Sequence, residues 1–390
     1  MAIDWIPLST PNFCGNEKKY VDQAIDAEWV STAGAFIGQF EGELAKRLSV
    51  RQACACQSGT AGLHLCLRHF GVSPGDLVLV PTLTFIATVN AVLYQFAEPV
   101  FFDCDEHMCI DAAQVEAYLE RECRLEDGKT VEITSGKTVK AIIPVHIFGD
   151  HCDMDRLMDL AERFHLVVIE DATESLGGVF CRGRYRNRPT GTVGHAGAFS
   201  FNGNKIITTG GGGMVISPDE AAVEHMRYLS QQAKDDPAYF VHEDWGYNYR
   251  MTNLQAALGL AQLEELDGFL EIKLRNFKRY QEKLEGCSYG ELLPFASGEG
   301  SNHWFYSFAL RQPDAARRDR LIRFLEERRI QARPIWKLNH TQTPFRKYRA
   351  MDCSRAARFY ERVVNIPCGT NLTEEQQDRV CRALLDFASL

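Results

Sequence analysis

Ala53-Cys54-Ala55-Cys56-Gln57-Ser58-Gly59-Thr60-Ala61-Gly62-Leu63 is where the fold class is read. Four apolar residues without alternation predict a strand buried on both faces. The small residues after them turn directly into a helix through Leu63 and Leu67. That is half of a βα unit, and the pattern recurs outward in both directions between about residues 40 and 220. Leu77-Val78-Leu79-Val80, Val100-Phe101-Phe102-Asp103, Ala141-Ile142-Ile143-Pro144-Val145 and Val167-Val168-Ile169-Glu170-Asp171 are further short apolar runs. Most are bounded by Gly, Pro, Ser or Asp and followed by helical spacing. Repeated βα units predict an α/β fold with a mostly parallel central sheet and helices on both faces.

Leu119 to Lys140 breaks the rhythm: it is polar, carries Asp127-Gly128 and Ser135-Gly136, and reads as an inserted hairpin or mobile loop without chemistry. Thr252-Asn253-Leu254-Gln255 has the form of a capping box. Leu254, Ala257, Leu258, Ala261 and Leu266 continue it as one long helix to about Gly286. Beyond lie strands near 303–310 and 328–336 and helices near 314–328 and 352–364, the content of a smaller α/β domain. A chain of 390 residues exceeds one compact core. The expected division is a large domain over 1–262, with an N-terminal arm and the 119–140 insertion, and a small one over 263–390.

With 43 basic and 52 acidic residues the formal charge is −9, and no basic block suggests a nucleic-acid surface. An anionic ligand must therefore be held by local devices such as backbone amides, a helix end or a few lysines. The 13 cysteines are scattered without a Cys-x-x-Cys pair or a zinc-ligand spacing. The start, Met1-Ala2-Ile3-Asp4-Trp5, lacks the form of a signal peptide, and no apolar run reaches the ~18 residues of a membrane span. The expectation is a cytoplasmic protein with no metal site and no membrane partner.

Four segments could carry chemistry, and each has two readings. Gln57 to Gly62 offers free amides at a helix start for a phosphate, or is a tight turn that needs glycine. Asp171, ending a buried strand, could face a pyridine nitrogen and favour the protonated ring, or could cap the next helix. Lys205, between an apolar strand and Gly210-Gly211-Gly212-Gly213, could be a shielded amine whose lowered pKa suits attack on carbonyls, or a solvated lysine beside a flexible turn. Gly246-Tyr247-Asn248-Tyr249-Arg250-Met251 suits a polar interface or a structural corner.

In this order, these segments resemble the sugar aminotransferases of the DegT/DnrJ family, which have the aspartate-aminotransferase-like fold (PLP fold type I). The resemblance spans nearly the whole chain. It includes Ile6-Pro7-Leu8-Ser9, Trp29-Val30-Ser31-Thr32, Pro81-Thr82-Leu83-Thr84-Phe85-Ile86-Ala87-Thr88, Pro144-Val145-His146-Ile147-Phe148-Gly149, Glu170-Asp171-Ala172 and Ser200 through Gly213. Wording such as Asp171-Ala172-Thr173-Glu174-Ser175-Leu176-Gly177 and Phe201-Asn202-Gly203-Asn204-Lys205 looks most like the nucleotide-sugar 4-aminotransferases serving legionaminic acid and bacillosamine-type sugars.

The resemblance implies pyridoxal 5′-phosphate carried on Lys205, which also moves the proton between substrate and cofactor. Asp171 would pair with the pyridine nitrogen. The Gly59 and Thr60 amides and the Ser200 hydroxyl would hold the phosphate, and Phe85 would stack on the ring unless it is an ordinary core residue. Asn248 would reach the phosphate in a neighbouring subunit, implying a homodimer with shared sites. Trp304, Lys337 and Asn339 are expected near the sugar nucleotide, and His146 is read as scaffold. Glu174 stands where many relatives have a glutamine that donates to the cofactor's ring oxygen, and a glutamate donates only when protonated. The implied reaction passes the amino group of L-glutamate to a UDP- or GDP-linked 4-keto-6-deoxy, 2-acetamido sugar for surface glycans. Two rivals are dehydration of a keto sugar on the same cofactor and a catalytically silent regulatory relative. Dehydratases of the family carry His where Lys205 stands, which favours transamination.

Overall fold

A computed structural model describes residues 4–236 and 238–387. Two helices, α1 (Glu17–Asp26) and α2 (Ala35–Arg47), precede the first strand, β1 (Ala53–Cys56). Three βα units follow: β1 with α3 (Gly59–His69), β2 (Leu77–Pro81) with α4 (Ile86–Tyr94), and β3 (Glu98–Phe102) with α5 (Ala112–Glu122). A hairpin of β4 (Cys123–Glu126) and β5 (Lys129–Glu132) leads to β6 (Thr138–Ile142), α6 (Met154–Arg163) and β7 (Val167–Asp171). β8 (Ala196–Ser200), β9 (Gly213–Ile216) and α7 (Glu220–Ser230) complete the first layer set.

The main sheet runs β1-β9-β8-β7-β6-β2-β3. Only β9 among these seven is antiparallel to its neighbours. Alternate residues of one strand enter different cores: Cys54, Cys56, Val78 and Val80 pack in one cluster, Ala53 and Ala55 in a second, Leu77 and Leu79 in a third. Both faces are covered, which is why the runs are apolar without a break. The carboxyl ends of β1, β7 and β8 lie together, the edge at which open α/β sheets bind ligands.

The 119–140 insertion is a hairpin, shorter than its polar run suggested. α5 extends to Glu122, and β6 already begins at Thr138, pairing with β5 through Thr130–Val139 and Val131–Thr138. The capping box at Thr252 forms and opens α8 (Asn253–Glu264). The expected single long helix is two: at Glu265 the bonding tightens to Gln262, and α9 (Leu266–Leu284) starts anew.

The remaining elements are β10 (Gly290–Leu292), β11 (Tyr306–Leu310), α10 (Ala315–Glu327), β12 (Arg333–Pro334), α11 (Ser354–Arg362), β13 (Val363–Ile366) and α12 (Glu374–Asp386). They build a second, antiparallel sheet, β10-β11-β13-β12. The strand expected over 328–336 shrinks to two residues, because Pro334 has no N–H to continue a ladder. The helix expected to 364 stops at Arg362, where Val363-Val364 turns to strand, as β-branched residues favour. Near the chain start, Ile6 bridges to Ile330 beside this second sheet.

Candidate active site

The strand ends open into a cavity of about 310 Å³ between the two sheets. Gly59, Thr60, Phe85, Asp171, Glu174, Ser200, Lys205 and Trp304 all line it. These eight residues from five stretches of sequence converge, so the separate readings of each motif become one site.

The floor is the start of α3. The Ser58 hydroxyl accepts the Ala61 amide at 3.0 Å, and its carbonyl accepts Gly62. The amides of Gly59 and Thr60, at the open first turn, remain for a ligand. Glycine is required at 59: a Cβ would stand 2.8 Å from Thr173 Cγ2 and 2.9 Å from Ser200 Cβ. Gly213 is likewise forced, since a Cβ there would meet the Ser58 carbonyl at 2.5 Å. The glycine run thus lets β9 pass directly beneath the helix start. Ser200, ending β8, brings its hydroxyl to the same end of the cavity.

Asp171 is 2% exposed and its carboxylate is held on both oxygens. Thr88 Oγ1 donates to Oδ2 at 2.7 Å, and the Thr173 amide donates to Oδ1 at 3.1 Å. Thr84 Oγ1 in turn lies 3.1 Å from Thr88 Oγ1. No helix follows Asp171, so the helix-cap reading gives way to a fixed carboxylate on the cavity wall.

Lys205 sits in the turn after β8, its amide bonded to the Asn202 carbonyl at 3.0 Å. Burial pushes its pKa down, and the nearby Glu174 and Asp171 carboxyls partly oppose that shift. The outcome is an amine closer to its neutral, nucleophilic form than a surface lysine. Glu174 receives the Phe148 amide at 2.7 Å, and burial raises its carboxyl to about 7. Near neutral pH it therefore exists in both forms, and the protonated one can donate as a glutamine would.

Phe85, at the start of α4, is 49% exposed, with its ring 5.2 Å from Trp336. A half-exposed ring lining a cavity is not a core residue. Trp304 is buried and also lines the cavity, with Lys205 Nζ 4.1 Å from its ring centroid.

Three expected residues do not line this cavity. Asn339 is fully buried, and its amide nitrogen donates to the carbonyls of Thr82 and Thr84 at 3.2 and 2.8 Å. It braces the approach to Phe85 from behind and does not itself line the cavity. Lys337 is exposed and lies off the cavity wall. Asn248 is exposed in a packed corner, where Tyr247 and Tyr249 stack at 4.8 Å and Arg250 pairs with Glu41 at 2.6 Å. His146 is fully buried against Glu170 at 2.9 Å and serves the scaffold.

The sequence reading missed Thr84, Thr88 and Trp336. The two threonines lie inside the quoted Pro81–Thr88 stretch, and their spacing of four on a helix start was a usable signal. Trp336 comes from a loop of the second sheet, and nothing local marked it.

The donor set fits pyridoxal phosphate: an amine without a hydrogen-bonding partner among the described residues, a fixed carboxyl group for a ring nitrogen, and an amide-rich helix start for a phosphate. Comparison with known proteins agrees. The DegT/DnrJ/EryC1/StrS aminotransferase family matches residues 12–385. The protein EpsN of Bacillus subtilis (strain 168) is 38% identical over 384 residues, covering 97% of this chain and 95% of its own. GDP-perosamine synthase of Caulobacter vibrioides is 38% identical over 381 residues, covering 97% of each chain. The crystal structure of a DegT DnrJ EryC1 StrS aminotransferase from Brucella abortus superposes with a TM-score of 0.85 at 28% identity, covering 96% of each chain.

Proposed function

The chain belongs to the DegT/DnrJ/EryC1/StrS aminotransferase family, and from that premise we propose that it transfers the amino group of L-glutamate to C4 of a UDP- or GDP-linked 4-keto-6-deoxy sugar. The enzyme is a pyridoxal-phosphate-dependent sugar aminotransferase. The finer reading is a 2-acetamido acceptor, yielding a 4-amino sugar of the legionaminic acid or bacillosamine type for surface glycans. A GDP-linked product in the name of one relative supports a nucleotide-bound acceptor. A second relative, 30% identical, is named a spore coat polysaccharide biosynthesis protein, which supports a glycan destination.

Pyridoxal phosphate, when bound, supplies an aldehyde that accepts the amino group and a ring that withdraws electrons. The residues of this chain do the rest. Lys205 holds the cofactor through its amine and, when freed, takes and returns a proton at Nζ, general acid–base work typically worth ~10²–10⁴-fold. Asp171 presents its carboxyl group to a ring nitrogen, held there by Thr88 and Thr173. Gly59, Thr60 and Ser200 bind the phosphate, and Phe85 covers the ring. Asn248 completes the phosphate site of a second copy in a homodimer. Within this reading, residues 1–262 form the large cofactor-binding domain, 263–390 the small C-terminal domain, and the protein works in the cytoplasm. No helix among the described residues is long and apolar enough to cross a membrane.

One observation carries the proposal: the Lys205 amine, facing the cavity with Asp171 and Glu174, is engaged by no hydrogen bond or ion pair among the described residues. The test is incubation with L-glutamate labelled with ¹⁵N and a small panel of 4-keto sugar nucleotides. The expected product is an amino sugar nucleotide carrying ¹⁵N. A product that has lost water and gained no nitrogen would move the reading to dehydration.

A further inference from the structure

Both faces of the Trp304 indole are occupied. The Phe305 ring lies parallel to it, with centroids 3.9 Å apart and planes 9° apart. A ring at that distance leaves no room for an ammonium on the same side. Lys205 Nζ, 4.1 Å from the Trp304 centroid, therefore takes the opposite face.

The indole cannot drift. Its Nε1–H donates at 2.7 Å to the carbonyl of Asn204, the residue just before Lys205. Its amide donates to Asn302 Oδ1 at 3.0 Å, and its carbonyl accepts from the buried Lys273 Nζ at 2.8 Å. Asn302 in turn donates to the carbonyls of Glu174 and Leu176. The ring is thus tied to the lysine's own turn and to the segment after Asp171. With 1% exposure, it is fixed before any ligand arrives.

We propose that Trp304 is a positioning residue whose indole face holds the Lys205 ammonium in the cavity whenever that amine is released from the cofactor. This rests on the reading of Lys205 as the cofactor-bearing amine. An aromatic face attracts an ammonium within about 6 Å of its centroid, most strongly for tryptophan and where water is excluded. Such a seat differs in kind from a carboxylate. A close ion pair with Asp171 or Glu174 would fix the proton on nitrogen, whereas an indole retains the cation yet lets the neutral amine depart. Among the described residues, those two carboxyls are the charged groups that face Lys205, and both favour its proton while burial disfavours it. A consequence follows for the acceptor: with Phe305 behind and Lys205 in front, Trp304 offers a sugar or base no face for stacking, only its rim.

The test uses cofactor-free protein. Lys205 is titrated by competitive acetylation with acetic anhydride across pH, read by peptide mass spectrometry, with exposed Lys46 as the internal standard. Trp304 is replaced site-specifically by tryptophans bearing one, two and three fluorines, which keep its shape while weakening the ring's attraction, and by Trp304→Leu. The neutral fraction of Lys205 at fixed pH is expected to rise stepwise with fluorine number, reaching roughly three- to tenfold. A flat fluorine series overturns the proposal, even if Trp304→Leu shifts the titration, because space-filling alone would then explain it. Should Trp304→Leu fail to fold, the isosteric series decides by itself. Failure of the underlying reading shows separately, as borohydride reduction of the holoenzyme that leaves Lys205 unlabelled.

Discussion

At Lys205 two opposing effects meet: burial drives the proton off, and the carboxyls of Asp171 and Glu174 hold it on. The balance depends on Glu174, whose carboxyl burial raises to about 7. A raised carboxyl is neutral below that value and ionised above it. Any cofactor contact that needs it to donate is present at lower pH and lost as pH rises through about 7. Glu174→Gln donates at every pH, so cofactor affinity measured between about pH 6 and 8 should fall in the wild type and stay flat in the variant. Parallel profiles would remove Glu174 from the cofactor contact. Asp171 makes a second case. Thr88→Val deletes the 2.7 Å donor to its Oδ2 and leaves that oxygen less fixed. Cofactor binding should weaken roughly tenfold, about 1.4 kcal/mol, at the upper end of what a single intramolecular hydrogen bond contributes. Equilibrium dialysis or titration of the visible band reads it.

Among the elements, the junction of β1 and α3 is the least forgiving. Gly59→Ala places a methyl 2.8 Å from Thr173 Cγ2 and 2.9 Å from Ser200 Cβ. The helix start must shift, costing about 1–3 kcal/mol of overpacking and weakening phosphate binding together. Thermal unfolding with and without cofactor separates the two, and an unchanged midpoint in both would show that the junction yields freely. This junction was legible in the sequence because glycine and small residues between a strand and a helix have few other uses. Lys205 and Asp171 were legible for the same kind of reason, each standing where an apolar strand gives way. What stayed hidden depends on distant contacts. Nothing around Asn339 reveals that its amide is consumed by Thr82 and Thr84, some 255 residues earlier. Nor does the run 266–286 announce that a new helix begins at Leu266, since a change of one hydrogen bond at Glu265 leaves the apolar spacing intact. The two-residue β12 was readable after all, in Pro334.

For the whole molecule, the cavity is shared property. The main sheet supplies Lys205, Asp171, Ser200 and the α3 start, while Trp304 and Trp336 come from the second sheet and its loops. Asn248 lies outside its own chain's cavity, exposed on the corner before α8. If it serves a second copy, two defective chains can repair each other. Lys205→Ala and Asn248→Ala homodimers should each be impaired. Mixed and allowed to exchange, they should recover about a quarter of wild-type activity, because half the dimers then hold one intact site in two. No recovery from exchanged, dimeric protein would confine each site to one chain.

The central claim is covalent and can be measured directly. Holoenzyme reduced with borohydride and digested should yield a single peptide bearing the pyridoxyl mass, centred on Lys205, and Lys205→Ala should yield none and lack the visible cofactor band. A label on any other lysine, or a band that survives in Lys205→Ala, contradicts the account.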